Sequence, residues 1–347
     1  MTFEEKAQLM PSFIEKIDFC FPSAAAWLSV LLFSACSHAL PLSSSPRFTE
    51  RVRHDPEGVD VYDQKNNWLA HFTRGAVTVI LQGPQRIFTE PTAAAAVKHE
   101  LWVRTLDQAF TGAVDDAWLA AALQANERRE EDILAIAMEY IKGAPPRFDA
   151  AGRQIAGDAS YGPLKTSGQR AKGSDVEDYL AFPALKNVNK NVKNRAPEAQ
   201  RWKSLDCSGF IRMVWGFRAE QARQRLVASR DKQRISAPSA LASELARTAA
   251  GMYAADLGLV IIADKGSPPA DLKSLEVGDI LFFDAASDPQ HTIDHVALYL
   301  GQDEQKHYRF LSSRPSADGP TMGDEKGASI LDGDGHFARG FRAAKRF

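Results

Sequence analysis

The order of apolar and polar positions predicts a strand-rich region followed by helices. From about Arg47 to Asp107 the pattern is strand-like, and Ala76–Pro91 contains two β-rich runs around a Gly-Pro pair, which predicts a hairpin. Helical patterns follow at 115–124 and from 131 to 142. The next segment, 147–203, is long, irregular and rich in Gly, Asn, Lys and Asp, a composition typical of binding loops.

A second set of elements begins near residue 204. Apolar spacing predicts a helix from Cys207 to Phe217, followed by a polar helical stretch to about Leu257. Four later segments have strand patterns: 257–263, 279–284, 294–301 and 307–313. Helices that precede strands, without βαβ alternation, indicate an α+β fold.

The N-terminal 45 residues resemble a targeting leader. The apolar run Ala24–Ala35 is short for a membrane span but suits the hydrophobic region of a signal peptide. The sequence LFSAC, which ends at Cys36, resembles a lipobox, in which the cysteine is lipidated after cleavage. A buried N-terminal helix is the alternative. We therefore expect export, with Cys36 as a candidate lipid anchor and a mature chain beginning between Cys36 and about Ser45.

Composition excludes several classes of partner and directs attention to one thiol. The chain has 347 residues, 44% of them hydrophobic, and a formal net charge of −2, so no general basic field points to nucleic acid or to an anionic membrane.

Of its three cysteines, Cys207 alone lies beyond the leader region. A free thiol in an exported protein usually has a chemical reason, although a small buried hydrophobic residue is the alternative.

The position of Cys207 at a predicted helix start favours the chemical role. The positive end of the helix dipole and the unpaired N–H groups there favour thiolate, so we expect a lowered thiol pKa. A nucleophilic thiol also needs a base. Strand alternation in 294–301 puts His295 beside the small Ala297, on the face opposite Val296 and Leu298. A lone strand histidine is more often structural, but its pairing with Cys207 favours a catalytic base.

Three ordered motifs resemble the NlpC-type family of papain-like cysteine peptidases. They are DCSGF at 206–210, GDILFFD at 278–284 and HVALYLG at 295–301. The resemblance implies a papain-like core in which a Cys helix packs on a small antiparallel sheet. It also implies cleavage of bacterial cell-wall peptides by a Cys207 nucleophile with His295 as base, and it implies no metal and no cofactor.

The resemblance extends to residues around the thiol. Tyr161 lies where many members have a tyrosine that lines the site, although an ordinary loop aromatic is an equal alternative. Asp206 caps the helix or binds a substrate amine, with the cap as the main expectation. The backbone N–H of Cys207 or Ser208 is a candidate for the oxyanion hole.

The third catalytic residue stays open between two strand registers. In the family it lies one strand after the histidine, and His307 has suitable chemistry to orient His295. If 309–314 forms the centre of the strand, Ser312 or Ser313 takes that place instead. We favour His307 on its chemistry.

These patterns divide the chain into three predicted parts. They are a leader at 1–45, a β-rich region of unknown role at 46–126 and an NlpC-type peptidase domain at 127–347. We expect a monomer whose partners are cell-wall peptides, without nucleic acid and with membrane contact only through an N-terminal lipid. A thiol hydrolase or acyltransferase on lipids or non-wall amides, and a non-catalytic wall-binding protein, are the alternatives.

Overall fold

The computed structural model describes residues 48–347, except for 92, 94, 184–195, 231–237, 287–291 and 326. The predicted leader, including Cys36, lies outside the described residues. Within the described ranges, none of the helices is long and apolar enough to cross a membrane. The described residues belong to one compact unit.

The first sheet is an antiparallel meander of five strands in chain order. The predicted hairpin at Ala76–Pro91 is wrong, because this segment forms one long strand with a register irregularity between Gln82 and Arg86. A Cβ on Gly83 would lie 2.4 Å from the Trp102 ring, so glycine lets the indole cross this point. The five strands are β1 (Thr49–His54), β2 (Glu57–Tyr62), β3 (Trp68–Thr73), β4 (Thr78–Phe88) and β5 (Val97–Thr105).

Two capped helices and a loop-rich segment follow this sheet. Helix α1 (Asp116–Glu127) begins after Asp115, whose carboxylate accepts hydrogen bonds from two backbone N–H groups of the first turn. Helix α2 (Ile133–Met138) is shorter than predicted. The segment 147–203 is not wholly irregular, since it contains β6 (Arg147–Phe148), β7 (Gln154–Ala156), α3 (Val176–Leu180) and a 3₁₀ turn (Ala199–Arg201).

The predicted cysteine helix is confirmed, but it has two geometries. It begins as α4 (Cys207–Ile211), continues as a π-helix (Arg212–Arg218) and becomes α5 (Ala219–Arg230). The short helices α6 (Ala240–Glu244) and α7 (Ala249–Ala254) come next. Phe210, Ile211 and Val214 are fully buried and anchor this segment in the main core.

The second sheet has six strands in the order β12-β11-β10-β9-β13-β8, with antiparallel neighbours. The four predicted strands are present, and the mixture of helices and sheets confirms the α+β class. The elements are β8 (Leu259–Ile262), β9 (Ile280–Phe283), β10 (His295–Gln302), β11 (Tyr308–Arg314), β12 (Gly319–Thr321), α8 (His336–Gly340) and β13 (Phe341–Arg346).

The main core contains residues of both sheets. Val97 and Val103 of β5 belong to the same buried cluster as Phe210 of α4 and Val296 of β10. The Thr78 N–H donates a 2.7 Å hydrogen bond to the Phe347 carbonyl. The first sheet therefore packs directly on the cysteine-bearing part, while the predicted boundary at residues 126 and 127 stays a prediction.

Candidate active site

Cys207 occupies the first turn of α4, as the motif predicted. Asp206 is the N-cap, and its carboxylate accepts a 2.8 Å hydrogen bond from the Gly209 N–H. The Cys207 side chain is buried, and the backbone N–H groups of Ser208 and Val296 lie close enough to lower its pKa. Because Val296 follows His295 directly, the thiol lies at the start of the strand that carries the predicted base.

A charged network surrounds the cap. Arg247, from the turn before α7, donates to both Asp206 carboxylate oxygens at 3.1 and 2.8 Å and to the Ser208 hydroxyl at 2.7 Å. The Gly173 N–H also donates to Asp206, at 2.7 Å. The Asp206 carboxylate is thus enclosed by donors of the protein itself, and Arg247 is bidentate on it.

His295 is the first residue of β10 and lies opposite Phe283 of β9. Its ring packs near Phe337 of α8, with ring centroids 5.5 Å apart. The imidazole is buried, and its Nε2 has no hydrogen-bond partner among the described residues. Within the same residues, no hydrogen bond joins the imidazole to the thiol, although Asp206, the cap beside Cys207, lies close enough to His295 to act on its pKa in the raising direction.

The expected lowering of the thiol pKa is wrong for this closed arrangement. Burial, with a smaller contribution from Asp206, raises the pKa of Cys207 to about 12. Burial, reinforced by the positive charges of Arg314 and Lys172, lowers the pKa of His295 to about 3. Removal from water disfavours the charged form of each group, and this outweighs the helix-terminal effect. At rest, the thiol and the imidazole are therefore both neutral.

The structure does not bring His307 to His295, so that placement is wrong. β10 and β11 run antiparallel, and Gln302 pairs with Tyr308, so His307 lies at the far end of β10. Its half-exposed ring is 2.5 Å from Asp332, and this hydrogen bond raises the pKa of His307. The chemistry of His307 suited the role, but the turn after β10 is longer than that prediction required.

The strand register favours the serine alternative. Leu298 of β10 pairs with Leu311 of β11. One residue nearer the start of β10, Ala297 therefore lies beside Ser312. Alternation then puts Ser312 on the face that carries His295. Ser312 is fully buried, and its hydroxyl, like His295 Nε2, has no partner among the described residues. Ser313 faces the other way and donates to the Leu205 carbonyl at 2.5 Å.

Tyr161 is brought to the thiol, as the sequence resemblance implied. The Leu205 N–H donates to the Ser160 carbonyl at 2.8 Å, which ties the Tyr161 loop to the segment before Cys207. Tyr161 is buried, and burial together with the nearby Cys207 and Asp206 raises its pKa.

Two arginines of the site were not identified from the sequence. Arg247 lies in a polar helical stretch without a motif. Arg314 follows the serine pair at the end of β11, is almost fully buried, and stacks 5.0 Å from the Phe337 ring centre. Its guanidinium donates to the Gly327 and Gly323 carbonyls at 2.7 and 2.9 Å. Among the described residues, no group of three or more His, Cys, Asp or Glu side chains could hold a metal ion.

Comparison with known proteins agrees with this geometry. Residues 196–314, from just before α4 to the end of β11, match the model of the NlpC/P60 family. No curated protein matches the chain. Since NlpC/P60 proteins are generally cysteine peptidases or amidases, the match suggests a cell-wall peptidase.

Proposed function

From this NlpC/P60 segment at 196–314, we propose that the protein is an exported cysteine peptidase that hydrolyses amide bonds in the stem peptides of bacterial peptidoglycan. One observation carries the proposal: Cys207, at the start of α4, lies in the same buried cluster as Val296, the residue that directly follows His295 on β10. A thiol on a helix start that packs against the strand carrying the imidazole suits nucleophilic catalysis.

The proposed reaction begins from the neutral pair. His295 accepts the thiol proton as Sγ adds to the amide carbonyl carbon, and the backbone N–H of Cys207 or Ser208 donates to the oxyanion. The protonated imidazole then gives its proton to the amine nitrogen as the C–N bond breaks, which leaves a thioester. Water adds to the thioester with His295 as base, and the C–S bond breaks to restore the thiol.

We further propose a papain-like core with Ser312 in place of the usual third residue. The support is the packing of α4 in one core with β10 and β11, together with the two unpaired polar atoms on one sheet face, His295 Nε2 and Ser312 Oγ. A hydroxyl that accepts from Nε2 would leave Nδ1 free to serve the thiol.

The surroundings of the thiol favour a peptide over a lipid acyl chain. Asp206 and Arg247 lie close enough to Cys207 to change its pKa, whereas an acyl-chain enzyme requires an apolar channel at that place. Because Arg247 already occupies the Asp206 carboxylate, we assign Asp206 a structural role as helix cap. Recognition of a substrate amine then falls to other groups.

The direct test is incubation with defined muropeptides, with products identified by mass spectrometry. Wild-type protein is expected to cut a stem-peptide amide, and Cys207→Ala and His295→Ala are expected to cut none, while His54→Ala, an exposed histidine on β1, retains full activity. Equal turnover in the Cys207→Ala protein would refute thiol catalysis. Hydrolysis of lipid esters without cleavage of any muropeptide would instead support the alternative, an enzyme that acts on acyl chains.

Export is tested separately by intact-mass analysis of protein from the native host. We propose a mature chain that begins between Cys36 and about Ser45, with a lipid if it begins at Cys36. Recovery of the full-length chain with Met1 would refute export.

A further inference from the structure

A cleft between the two sheets lies away from the thiol. It has a volume of about 630 Å³, within the range of small-molecule sites. Its walls come from β2, β3 and β5 on one side and from the end of β10 and the turn before β9 on the other. Along β10 it begins at Tyr299, which is four residues beyond His295, or about 13 Å along the strand. Neither Cys207 nor His295 lines the cleft.

The two walls are held together by backbone contacts. Val97 of β5 forms a bridge with Asp303, and the His99 ring is 3.0 Å from the Leu300 carbonyl. The His99 Nδ1 accepts from the Leu101 N–H, so Nε2 donates to Leu300. These contacts fix the width of the cleft, which is therefore a preformed space that needs no closure around a ligand.

The lining of the cleft contains more cationic side chains than its carboxylates can pair with. Lys98, Lys273 and Lys306 line it, are exposed, and make no ion pair with the residues that the structure describes. The two carboxylates of the lining are occupied. Asp60 is 3.0 Å from His71 Nδ1 and accepts from Trp68 at 3.3 Å, and Glu276 pairs with Arg53 at 2.8 Å.

An aromatic surface and an unused hydroxyl accompany these cations. Trp68 is half-buried in one wall, and Tyr299 stacks on Tyr308 in the other, with ring centroids 6.1 Å apart. The Tyr299 side chain is 4% exposed, and its hydroxyl makes no hydrogen bond to a described residue. The hydroxyl is not among the fully buried unpaired atoms, so it reaches the open space of the cleft, where it can donate to a ligand.

We propose that this cleft binds a sugar that carries one anionic group. Sugar hydroxyls both donate and accept hydrogen bonds, so they accept from the ammonium groups and donate to any lone pair that the internal contacts of Asp60 and Glu276 leave open. The aromatic faces provide apolar contact for the ring, and the free lysines bind the anion as point charges. A ligand with several phosphates fits less well, because Asp60 and Glu276 would repel it. The inference does not depend on the proposed peptidase activity.

The test is calorimetric titration of the whole protein with a matched pair, cellobiouronic acid and cellobiose, which differ by one carboxylate. The acid is expected to bind saturably and about tenfold more tightly than cellobiose. Combined Lys98→Ala, Lys273→Ala and Lys306→Ala changes are expected to weaken acid binding about tenfold or more, and Tyr299→Phe about threefold or more. Lys165→Ala, an exposed lysine on another loop, is expected to change nothing.

Further probes identify the anionic group and separate charge from sugar recognition. If glucose 6-phosphate binds more tightly than glucuronate, the site is supported and its preferred anionic group is a phosphate. If glucuronate binds more tightly, the site is supported and the preferred group is a carboxylate. Inorganic phosphate that binds as tightly as either sugar would refute sugar recognition. Equal affinity for cellobiose and its acid, no saturable binding of either acidic sugar, or unchanged binding in the triple lysine variant would overturn the proposal.

Discussion

Replacement of Arg247 by methionine tests whether the network around Asp206 holds the thiol in place. The guanidinium makes three hydrogen bonds to Asp206 and Ser208, at 3.1, 2.8 and 2.7 Å, and its side chain is 22% exposed. Methionine keeps most of the apolar stem, so the change removes charge and hydrogen bonds more than volume.

The expected size of the effect follows from what Asp206 retains. Removal of one partner from a buried ion pair costs 3–5 kcal/mol in general, but Asp206 keeps the N–H groups of Gly209 and Gly173, so we expect the free energy of unfolding to fall by about 2–3 kcal/mol. For a chain of this size that corresponds to a Tm roughly 3–5 °C lower. Arg247 also lowers the Cys207 pKa, so its loss hinders thiolate formation, and we expect kcat/KM to fall about 10- to 100-fold.

Thermal unfolding and muropeptide turnover measure the two effects. Arg225→Met is the matched control, because Arg225 is 52% exposed and its pair with Glu131 should contribute less than about 0.5 kcal/mol. In a double-mutant cycle with Asp206→Asn, we expect a coupling energy of about 1–2 kcal/mol. Additive effects of the two changes, or a loss in Arg247→Met no larger than in the control, would refute the network argument.

Three further predictions follow from the same site. Iodoacetamide should label Cys207 more slowly at neutral pH than an ordinary thiol and faster as the pH rises, because burial raises its pKa; rapid neutral labelling would contradict the closed arrangement. Ser312→Ala should lower kcat about tenfold or more with little change in KM, while His307→Ala stays near wild type; the opposite ranking in steady-state kinetics would restore His307. Gly209→Ala should destabilise the fold by about 3 kcal/mol in denaturant unfolding, because its Cβ would lie 2.2 Å from the Ser174 carbonyl, whereas Gly216→Ala, 3.5 Å from its nearest neighbour, should be tolerated.

The site elements that could be predicted are those with strong local signals. Asp206 before an apolar run marks a helix start, and alternation in 294–301 marks a strand with His295 at its head. Both signals involve neighbouring residues only. The α+β class followed in the same way, from the order of helices and strands along the chain.

The errors arose where distant residues decide the outcome. The hairpin at Ala76–Pro91 failed because Gly83 accommodates the ring of Trp102 on the next strand, which a local turn signal does not reveal. Strand β13 was missed because its charged residues do not resemble a central strand. Arg346, for example, is buried through its 2.8 Å contact with Asp279, 67 residues earlier in the chain.

The thiol pKa illustrates the same division in physical terms. The helix-terminal effect on Cys207 could be inferred from sequence, because it depends on the local backbone alone. Burial of the two groups depends on Phe337 beside His295 and on the Tyr161 loop near Cys207, which come together only in the folded chain. Since burial disfavours both the thiolate and the imidazolium, the closed site keeps its proton on sulfur. Because oxidation requires an accessible thiolate, the same burial makes a free thiol less susceptible to oxidation in the compartment that we propose for it.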